Sequence, residues 1–206
     1  MECKHRVVSI SHRMDGNLEI DDKNVDFSGG KGYIEKDWGT AFPESWIWLQ
    51  SNNFANSDSF IMMSIAKIPW LGSYFIGFLG FLFYHGDFYP FSTYKKSEIT
   101  LLSFDGEKLT INFKGNEYSL KITATLNKSG ILLAPKSGKM SRRIKESVDS
   151  ELEVILSDLK GKEIYHDAAY RAGLKVIEGI FDILKIKKSK YNLTKNPEFN
   201  FSIGFK

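Results

Sequence analysis

The stretch GGKGYIEKDWGTAFPESWIWLQSNNF, residues 29–54, decides the fold of this chain. Apolar and charged side chains alternate from Tyr33 to Asp37, which is typical of a half-buried β-strand. Gly39, Pro43 and the small polar residues between them interrupt the pattern, and Ser45 to Ser51 resumes it with aromatic and branched residues. The stretch therefore predicts two extended segments joined by a loop, arranged as an indole-rich hairpin.

The second segment has a face that suits an amphiphilic ligand. Side chains alternate across a strand with a period of two, so every second residue from position 46 onward shares one face. Two indoles followed by two amides would line a pocket for an apolar molecule with one polar head. The alternative is a barrel core that holds large aromatic side chains, with Glu35 and Lys36 at a solvated edge. The residues of the face are Trp46, Trp48, Gln50 and Asn52.

The run GYIEKDWGTAFPESWIWLQSN, residues 32–52, resembles the signature of the tocopherol cyclase family. In that signature a glycine and an aromatic residue precede an E-K-[DN]-W-G core, an F-P pair and a W-x-W-x-Q-x-N segment. Two further blocks are similar to the family: LLAPKSGKMSRRIKESVDSELEVIL, residues 132–156, and YRAGLKVIEG, residues 170–179. Together the three blocks extend from about Ser28 to about Gly179, so the resemblance covers most of the chain.

The resemblance implies a redox-neutral isomerisation that needs no cofactor, because tocopherol cyclases close a chromanol ring on a prenylated hydroquinone. A carboxylic acid must protonate the alkene of the tail, and Glu35 or Asp37 would supply it if burial beside Trp38 raised its pKa. The other residues of the motif would bind the substrate, with Trp46 and Trp48 facing the developing cation and Gln50 and Asn52 holding the quinol oxygens.

Two interpretations without catalysis stand beside this one. In both, Glu35 to Asp37 would form an ion-paired element where barrel halves meet, and Trp38 and Pro43 would close one end of the barrel. The chain would then be a carrier of a hydrophobic small molecule, such as a lipid or prenyl quinol, or a fragment that depends on a partner.

In the rest of the sequence, turn signals separate short strand-like runs, as is typical of an antiparallel all-β protein. Short alternating runs such as Lys108 to Phe113 and Tyr118 to Thr123 lie between turn signals about ten residues apart, and the connections are too short for crossover helices. We predict a lipocalin-like antiparallel barrel or half-barrel over residues 1–179 and a C-terminal extension over residues 180–206. In that extension a short helix is indicated by the spacing of Ile180, Ile183, Leu184 and Lys187.

The segment from Ile68 to Tyr84 is apolar for 17 residues, which is near the lower limit for a membrane helix. Proline and several glycines interrupt it, and its aromatic residues favour strands. We predict a loop containing Pro69, Trp70 and Gly72, followed by a buried strand from Tyr74 to Tyr84. The glycines of that strand would let a ligand approach the backbone.

Composition narrows the possible partners and cofactors. A net charge of +3 over 206 residues is too slight to indicate nucleic acid. The four histidines lack the spacing of a metal motif and Cys3 is the sole cysteine, so we predict no metal site. Phosphate-loop and triad motifs are also absent from the sequence. The single cysteine and the lack of a signal-peptide pattern indicate a reducing, cytoplasmic compartment.

Basic residues cluster at positions 136–145 and 185–195. They form either a solvated surface or a surface attracted to an anionic membrane, which would suit a protein that collects its substrate from a bilayer.

The amino-terminal sequence begins as a strand, because alternation from Arg6 to Ser11 requires neighbouring strands. We interpret the chain as the carboxy-terminal half of longer family members, with Met1 either an internal methionine or the start of a short form. An edge left by a missing half would favour a homodimer.

Overall fold

The computed structural model of this chain describes residues 3–55, 58–177 and 179–181. Every strand pairing in these residues is antiparallel, which confirms the all-β prediction. Of the short helix predicted from the spacing of residues 180–187, the structure describes only Ile180 and Phe181, which are helical, and the rest lies outside the described residues. The strands are β1 (Cys3–Met14), β2 (Asn17–Ile20), β3 (Lys23–Asp26), β4 (Gly30–Gly39), β5 (Trp46–Ser51), β6 (Phe60–Trp70), β7 (Ser73–Tyr84), β8 (Asp87–Ser92), β9 (Glu98–Phe104), β10 (Lys108–Lys114), β11 (Tyr118–Thr125), β12 (Ser129–Lys136), β13 (Lys139–Asp158) and β14 (Glu163–Val176).

One large sheet has the strand order β8-β7-β6-β5-β14-β13-β11-β10-β9, with β12 paired to β13 outside this path. Its inner face holds the main core, where strands from distant parts of the ladder meet. The ring centroids of Phe78 in β7 and Phe113 in β10 are 5.3 Å apart, and those of Tyr89 in β8 and Tyr118 in β11 are 5.1 Å apart. The sheet therefore curls on itself. Within the described residues β8 and β9 are not paired, so the sheet is an open half-barrel and not a closed barrel.

A separate ribbon of β1 and β4 covers part of the outer face of this sheet. In β6, Met63 points into the main core, whereas its neighbour Met62 points outward and packs with Val7 of β1 and Phe81 of β7. β6 and β7 are thus buried on both faces. Burial on both faces explains why their sequences are nearly continuous apolar runs.

The indole-rich stretch is not a hairpin, although both of its predicted strands are present. β4 pairs with β1, whereas β5 pairs with β14 and β6. The predicted pairing was wrong because the partners of each strand are distant in sequence, and alternation within a strand does not specify its neighbours.

The apolar segment after residue 67 also differs from its prediction. β6 continues through Pro69 and Trp70, and the turn is confined to Leu71 and Gly72. The β5 ladder stops at Ala66, so β6 is an edge at Pro69 and tolerates a residue without an amide hydrogen. In the described part of the chain, no helix has the length and apolar character needed to cross a membrane.

The glycines of β7 serve packing and do not open a path for a ligand. A Cβ built on Gly77 would lie 2.5 Å from the Ile68 Cδ1 atom, and one on Gly80 would collide with Met62 and Met63. Beyond β14, Ile180 is fully buried in the main core, so the extension begins as part of the packed domain.

Candidate active site

A partly open cavity of about 120 Å³ lies between the β1–β4 ribbon and the outer face of the large sheet. It is therefore outside the barrel core, which its own side chains fill. The volume is close to that of a cavity of about 150 Å³ that accommodates one benzene ring. The lining residues are Cys3, His5, Glu35, Asp37, Ala41, Phe42, Pro43, Trp46, Trp48, Ser64, Ala66, Ile68, Pro69 and Lys175.

The ribbon supplies a hydrogen-bonded group of titratable side chains to one wall of the cavity. His5 of β1 lies opposite Asp37 of β4, and the His5 Nδ1 atom is 2.8 Å from the Asp37 Oδ1 atom. The His5 Nε2 atom is 3.9 Å from the Glu35 Oε2 atom, which accepts a hydrogen bond of 2.6 Å from the Tyr33 hydroxyl. Tyr33, Glu35 and Asp37 share one face of β4 because they alternate along the strand. The wall therefore carries two hydrogen-bonded pairs of titratable groups, and 3.9 Å separates the His5 Nε2 atom of one pair from the Glu35 Oε2 atom of the other.

Burial and charge shift several pKa values in this group. Burial lowers the pKa of His5, but the hydrogen bond to Asp37 and the negative charges of Glu35 and Asp37 outweigh it and raise the pKa above its usual value. Burial, followed by the charge of Asp37, raises the pKa of the Cys3 thiol to about 11. Burial and the neighbouring Glu35 carboxylate also raise the pKa of Tyr33. The hydroxyl and the thiol are therefore protonated at neutral pH.

One set of side chains here could hold a metal ion, although the sequence predicted none. Atoms of His5, Glu35 and Asp37 that could act as ligands lie within 4.8 Å of one another. However, Asp37 is hydrogen-bonded to one nitrogen of His5, which leaves the other nitrogen and Glu35 as ligands. Two ligands are fewer than the three that catalytic zinc sites use, so the group fits proton transfer better than metal binding.

Two indoles form the opposite wall, and each has a cation against its ring. The guanidinium carbon of Arg142 is 5.0 Å from the ring centroid of Trp46, and the Lys175 Nζ atom is 4.6 Å from that of Trp48. A Cβ on Gly173 would lie 2.7 Å from the Trp48 Cζ3 atom, so the glycine provides the space that this indole occupies. The Trp48 Nε1 atom is buried and has no hydrogen-bond partner among the described residues.

The two cations are themselves held by the protein. Arg142 donates hydrogen bonds of 2.9 Å to the Pro43 carbonyl and 2.6 Å to the Glu44 carbonyl, which fixes the connection between β4 and β5. Lys175 forms an ion pair of 3.1 Å with Glu146, which is mostly buried. The connection and the indole wall are thus anchored from β13 and β14.

Of the residues predicted for the site, Glu35, Asp37, Trp46 and Trp48 surround this one cavity. Trp38 does not line it, because it lies on the opposite face of β4 with the Lys36 Nζ atom 5.0 Å from its ring centroid. Alternation alone separates Trp38 from Asp37, so this displacement was detectable in the sequence.

The two amides predicted for the site also lie outside the lining. Gln50 follows the indoles along β5, and Asn52 donates a hydrogen bond of 3.2 Å to the Lys31 carbonyl. Sequence reasoning missed His5, Tyr33, Arg142 and Lys175. Tyr33, Arg142 and Lys175 lie in blocks that resemble the family, whereas His5 does not, and nothing in the sequence assigns any of the four to a pocket.

The chain is similar to known proteins of one family. The family model described as "Tocopherol cyclase-like" matches residues 2–177. The chain is 32% identical over 80 residues to the "Probable tocopherol cyclase, chloroplastic" of Oryza sativa subsp. japonica, a match that covers 37% of this chain and 17% of the rice protein. It is 31% identical over 80 residues to the "Tocopherol cyclase, chloroplastic" of Zea mays, with the same coverage of 37% and 17%. No solved structure matches the chain.

Proposed function

This chain belongs to the tocopherol cyclase-like family, and from that premise we propose that it closes a chromanol ring on a prenylated hydroquinone. The observation that carries the proposal is a single cavity with indoles on one wall and a linked histidine and two carboxyl groups on the other. In ring closure the phenol O–H adds across a double bond of the tail, with no net oxidation. The reaction requires a proton donor, a proton acceptor and a pocket from which water is excluded.

We assign the proton donor to Glu35. Its Oε2 atom accepts a hydrogen bond from Tyr33 and faces His5, while the residue lines the cavity. A prenyl chain in the cavity would displace water from beside this carboxyl group. The neutral acid transfers its proton to the alkene, and the phenol oxygen forms the new C–O bond with the resulting tertiary cation.

His5 is the acceptor of the phenol proton in this proposal. Asp37 accepts a hydrogen bond from Nδ1, so Nε2 is the atom that gains the proton, and Nε2 has no hydrogen-bond partner among the described residues. The raised pKa of His5 favours this step, and the Asp37 carboxylate stabilises the imidazolium as the aspartate of a catalytic triad does. The proton then returns across the 3.9 Å from Nε2 to Glu35, so the enzyme is unchanged after each turnover.

The indoles have a packing role in this proposal. Arg142 and Lys175 already lie against the rings of Trp46 and Trp48, and these positive charges disfavour a further cation nearby. We therefore assign the indoles to contact with the aromatic headgroup of the substrate. The tail leaves through the open side of the cavity.

Chromatographic assay of chromanol formation from a prenylated hydroquinone tests these roles. Glu35→Gln should reduce turnover by roughly 10²–10⁴-fold, the usual contribution of a general acid, and His5→Gln and Asp37→Asn should also reduce it. Glu107→Gln, an exposed turn residue remote from the cavity in the fold, is the matched control and should leave turnover unchanged. Full turnover in Glu35→Gln would refute the acid assignment.

A carrier of hydrophobic ligands is the second candidate, and the largely apolar lining of the cavity favours it. Thermal unfolding with and without prenyl quinol, followed by product analysis, separates the candidates. Formation of product supports the cyclase, and stabilisation without product supports the carrier. The absence of both effects supports a fragment that depends on a partner.

A further inference from the structure

One two-stranded extension of the large sheet carries an excess of basic residues. β12 pairs with the first part of β13, and we call residues 128–145 the basic ribbon. Residues 128–145 contain no aspartate or glutamate, and the one acidic residue farther along the same pairing, Glu146, forms an ion pair with Lys175. Its basic residues are Lys128, Lys136, Lys139, Arg142, Arg143 and Lys145.

The outward face of the basic ribbon combines these cations with exposed apolar side chains. Ile131 lies opposite Lys145 and Leu133 lies opposite Arg143, so the four side chains share one face. All four are exposed, and Ile131 and Leu133 expose 55% and 53% of their surface. Apolar residues flanked by cations are the pattern of surfaces that insert at the boundary between lipid headgroups and acyl chains.

Exposed apolar residues occur elsewhere without this charge. The β2–β3 hairpin exposes Leu18, Ile20 and Val25, but glutamate and aspartate residues are interspersed among them at positions 19, 21, 22 and 26. An anionic surface would repel that hairpin and attract the basic ribbon. Of these two apolar patches, only the one on the basic ribbon has a charge complementary to acidic lipid.

The opposite face and the tip of the basic ribbon contact the walls of the cavity. Ala134 and Ile144 are buried in a cluster with Trp46. At the tip, the Gly138 amide donates a hydrogen bond of 2.7 Å to the Thr40 carbonyl, next to the connection that lines the cavity. A membrane or other surface bound to the outward face of the basic ribbon would therefore lie close to the cavity.

We propose that the basic ribbon docks this protein on an anionic lipid bilayer. Ile131 and Leu133 enter the headgroup region, and Arg143 and Lys145 contact lipid phosphates. Docking would bring the cavity to the source of a prenylated substrate. This delivery role rests on the proposed cyclase function, whereas the lipid contact does not.

Co-sedimentation of the full chain with vesicles tests the contact. Wild-type protein should bind phosphatidylcholine vesicles that contain phosphatidylserine, should bind pure phosphatidylcholine vesicles weakly, and should dissociate at high salt. Arg143→Glu/Lys145→Glu should lower binding by roughly tenfold or more, since each cation near the surface contributes about a fivefold factor. Ile131→Ser/Leu133→Ser should lower binding to the same vesicles by loss of apolar insertion.

The matched control is Lys114→Glu/Lys121→Glu, which makes the same change in net charge roughly 30 Å away along the sheet. It should keep most of the binding. Every variant keeps the lysines of residues 185–195, so their contribution is constant. Equal losses in the control and the ribbon variants, or no binding of wild type to anionic vesicles, would overturn the proposal. So would a serine double variant that binds vesicles normally but changes a dimer to a monomer in size-exclusion chromatography.

Ring-closure assays separate this inference from the proposed function. The ribbon variants should turn over a short-tailed, water-soluble quinol at the wild-type rate and lose turnover only with quinol embedded in vesicles. Vesicle binding without any ring closure by wild type would remove the cyclase proposal and leave the docking surface intact.

Discussion

His5 and Asp37 lie opposite each other in the β1–β4 ladder, with 2.8 Å between the imidazole Nδ1 and the carboxylate Oδ1 atoms. The His5 side chain is only 14% exposed, so this contact is shielded from solvent. It joins the two strands of the β1–β4 ribbon on the wall of the cavity. The protonation state of His5 therefore affects both the stability of the β1–β4 ribbon and the chemistry proposed for the site.

The first prediction concerns the pH dependence of stability. The pKa of His5 is higher in the folded chain than its usual value of about 6.5, because its hydrogen bond to Asp37 and nearby negative charges outweigh burial. A raised folded pKa stabilises the fold fully below the unfolded pKa, and this stability is lost as pH rises through the folded pKa. Wild-type Tm should therefore fall as pH rises above about 6.5, and it should fall less in His5→Gln. Identical pH profiles by calorimetry would contradict the assignment.

The second prediction concerns the space beneath an indole. Gly173→Ala places a methyl group 2.7 Å from the Trp48 ring, which must then move. We expect a loss of about 1–3 kcal/mol in the free energy of unfolding, as for other overpacked sites, and a change in tryptophan fluorescence. Gly130→Ala is the control, because a Cβ there meets no atom within 4 Å. An unchanged denaturation midpoint in Gly173→Ala would show that the indole moves freely.

The third prediction concerns the anchor of the connection between β4 and β5. Arg142→Lys keeps the charge but loses the two hydrogen bonds to the carbonyls of Pro43 and Glu44. The free energy of unfolding should fall by about 1–3 kcal/mol, and the affinity for a prenyl quinol should fall because the connection lines the cavity. The same replacement at exposed Arg143 should change stability by less than about 0.5 kcal/mol. Urea denaturation and ligand titration measure both quantities, and equal effects at the two arginines would contradict the anchoring role.

The fourth prediction compares a buried ion pair with an exposed one. Lys175→Met leaves the mostly buried Glu146 carboxylate without its partner and should destabilise the fold strongly. Adding Glu146→Gln removes that unpaired charge, so the double variant should lose less free energy of unfolding for each substitution than Lys175→Met loses alone. A double-mutant cycle should give a coupling energy of about 0.5–3 kcal/mol. The same cycle on His166 and Glu153, whose side chains are about half exposed, should give less than about 1 kcal/mol. Equal coupling in the two pairs would show that burial has no effect here.

The sequence predicted more of the fold than of the site. Strands such as β5 and β7 were predicted with errors of one residue or less, because alternation and turn residues are local signals. The loop at Pro69 and Trp70 was placed wrongly because proline is tolerated where β6 has lost its neighbour, which no local signal reveals.

The sequence by itself determined that the chain is an antiparallel all-β protein, that it resembles one family, and that Trp46 and Trp48 share a face. These properties follow from the two-residue period of a strand and from motif spacing, both of which are local. Only the tertiary structure decided that β4 and β5 belong to different sheets, that the cavity lies outside the barrel core, and that His5 meets Asp37. Those properties depend on which strands pair and in which register, and contacts between residues distant in sequence determine both.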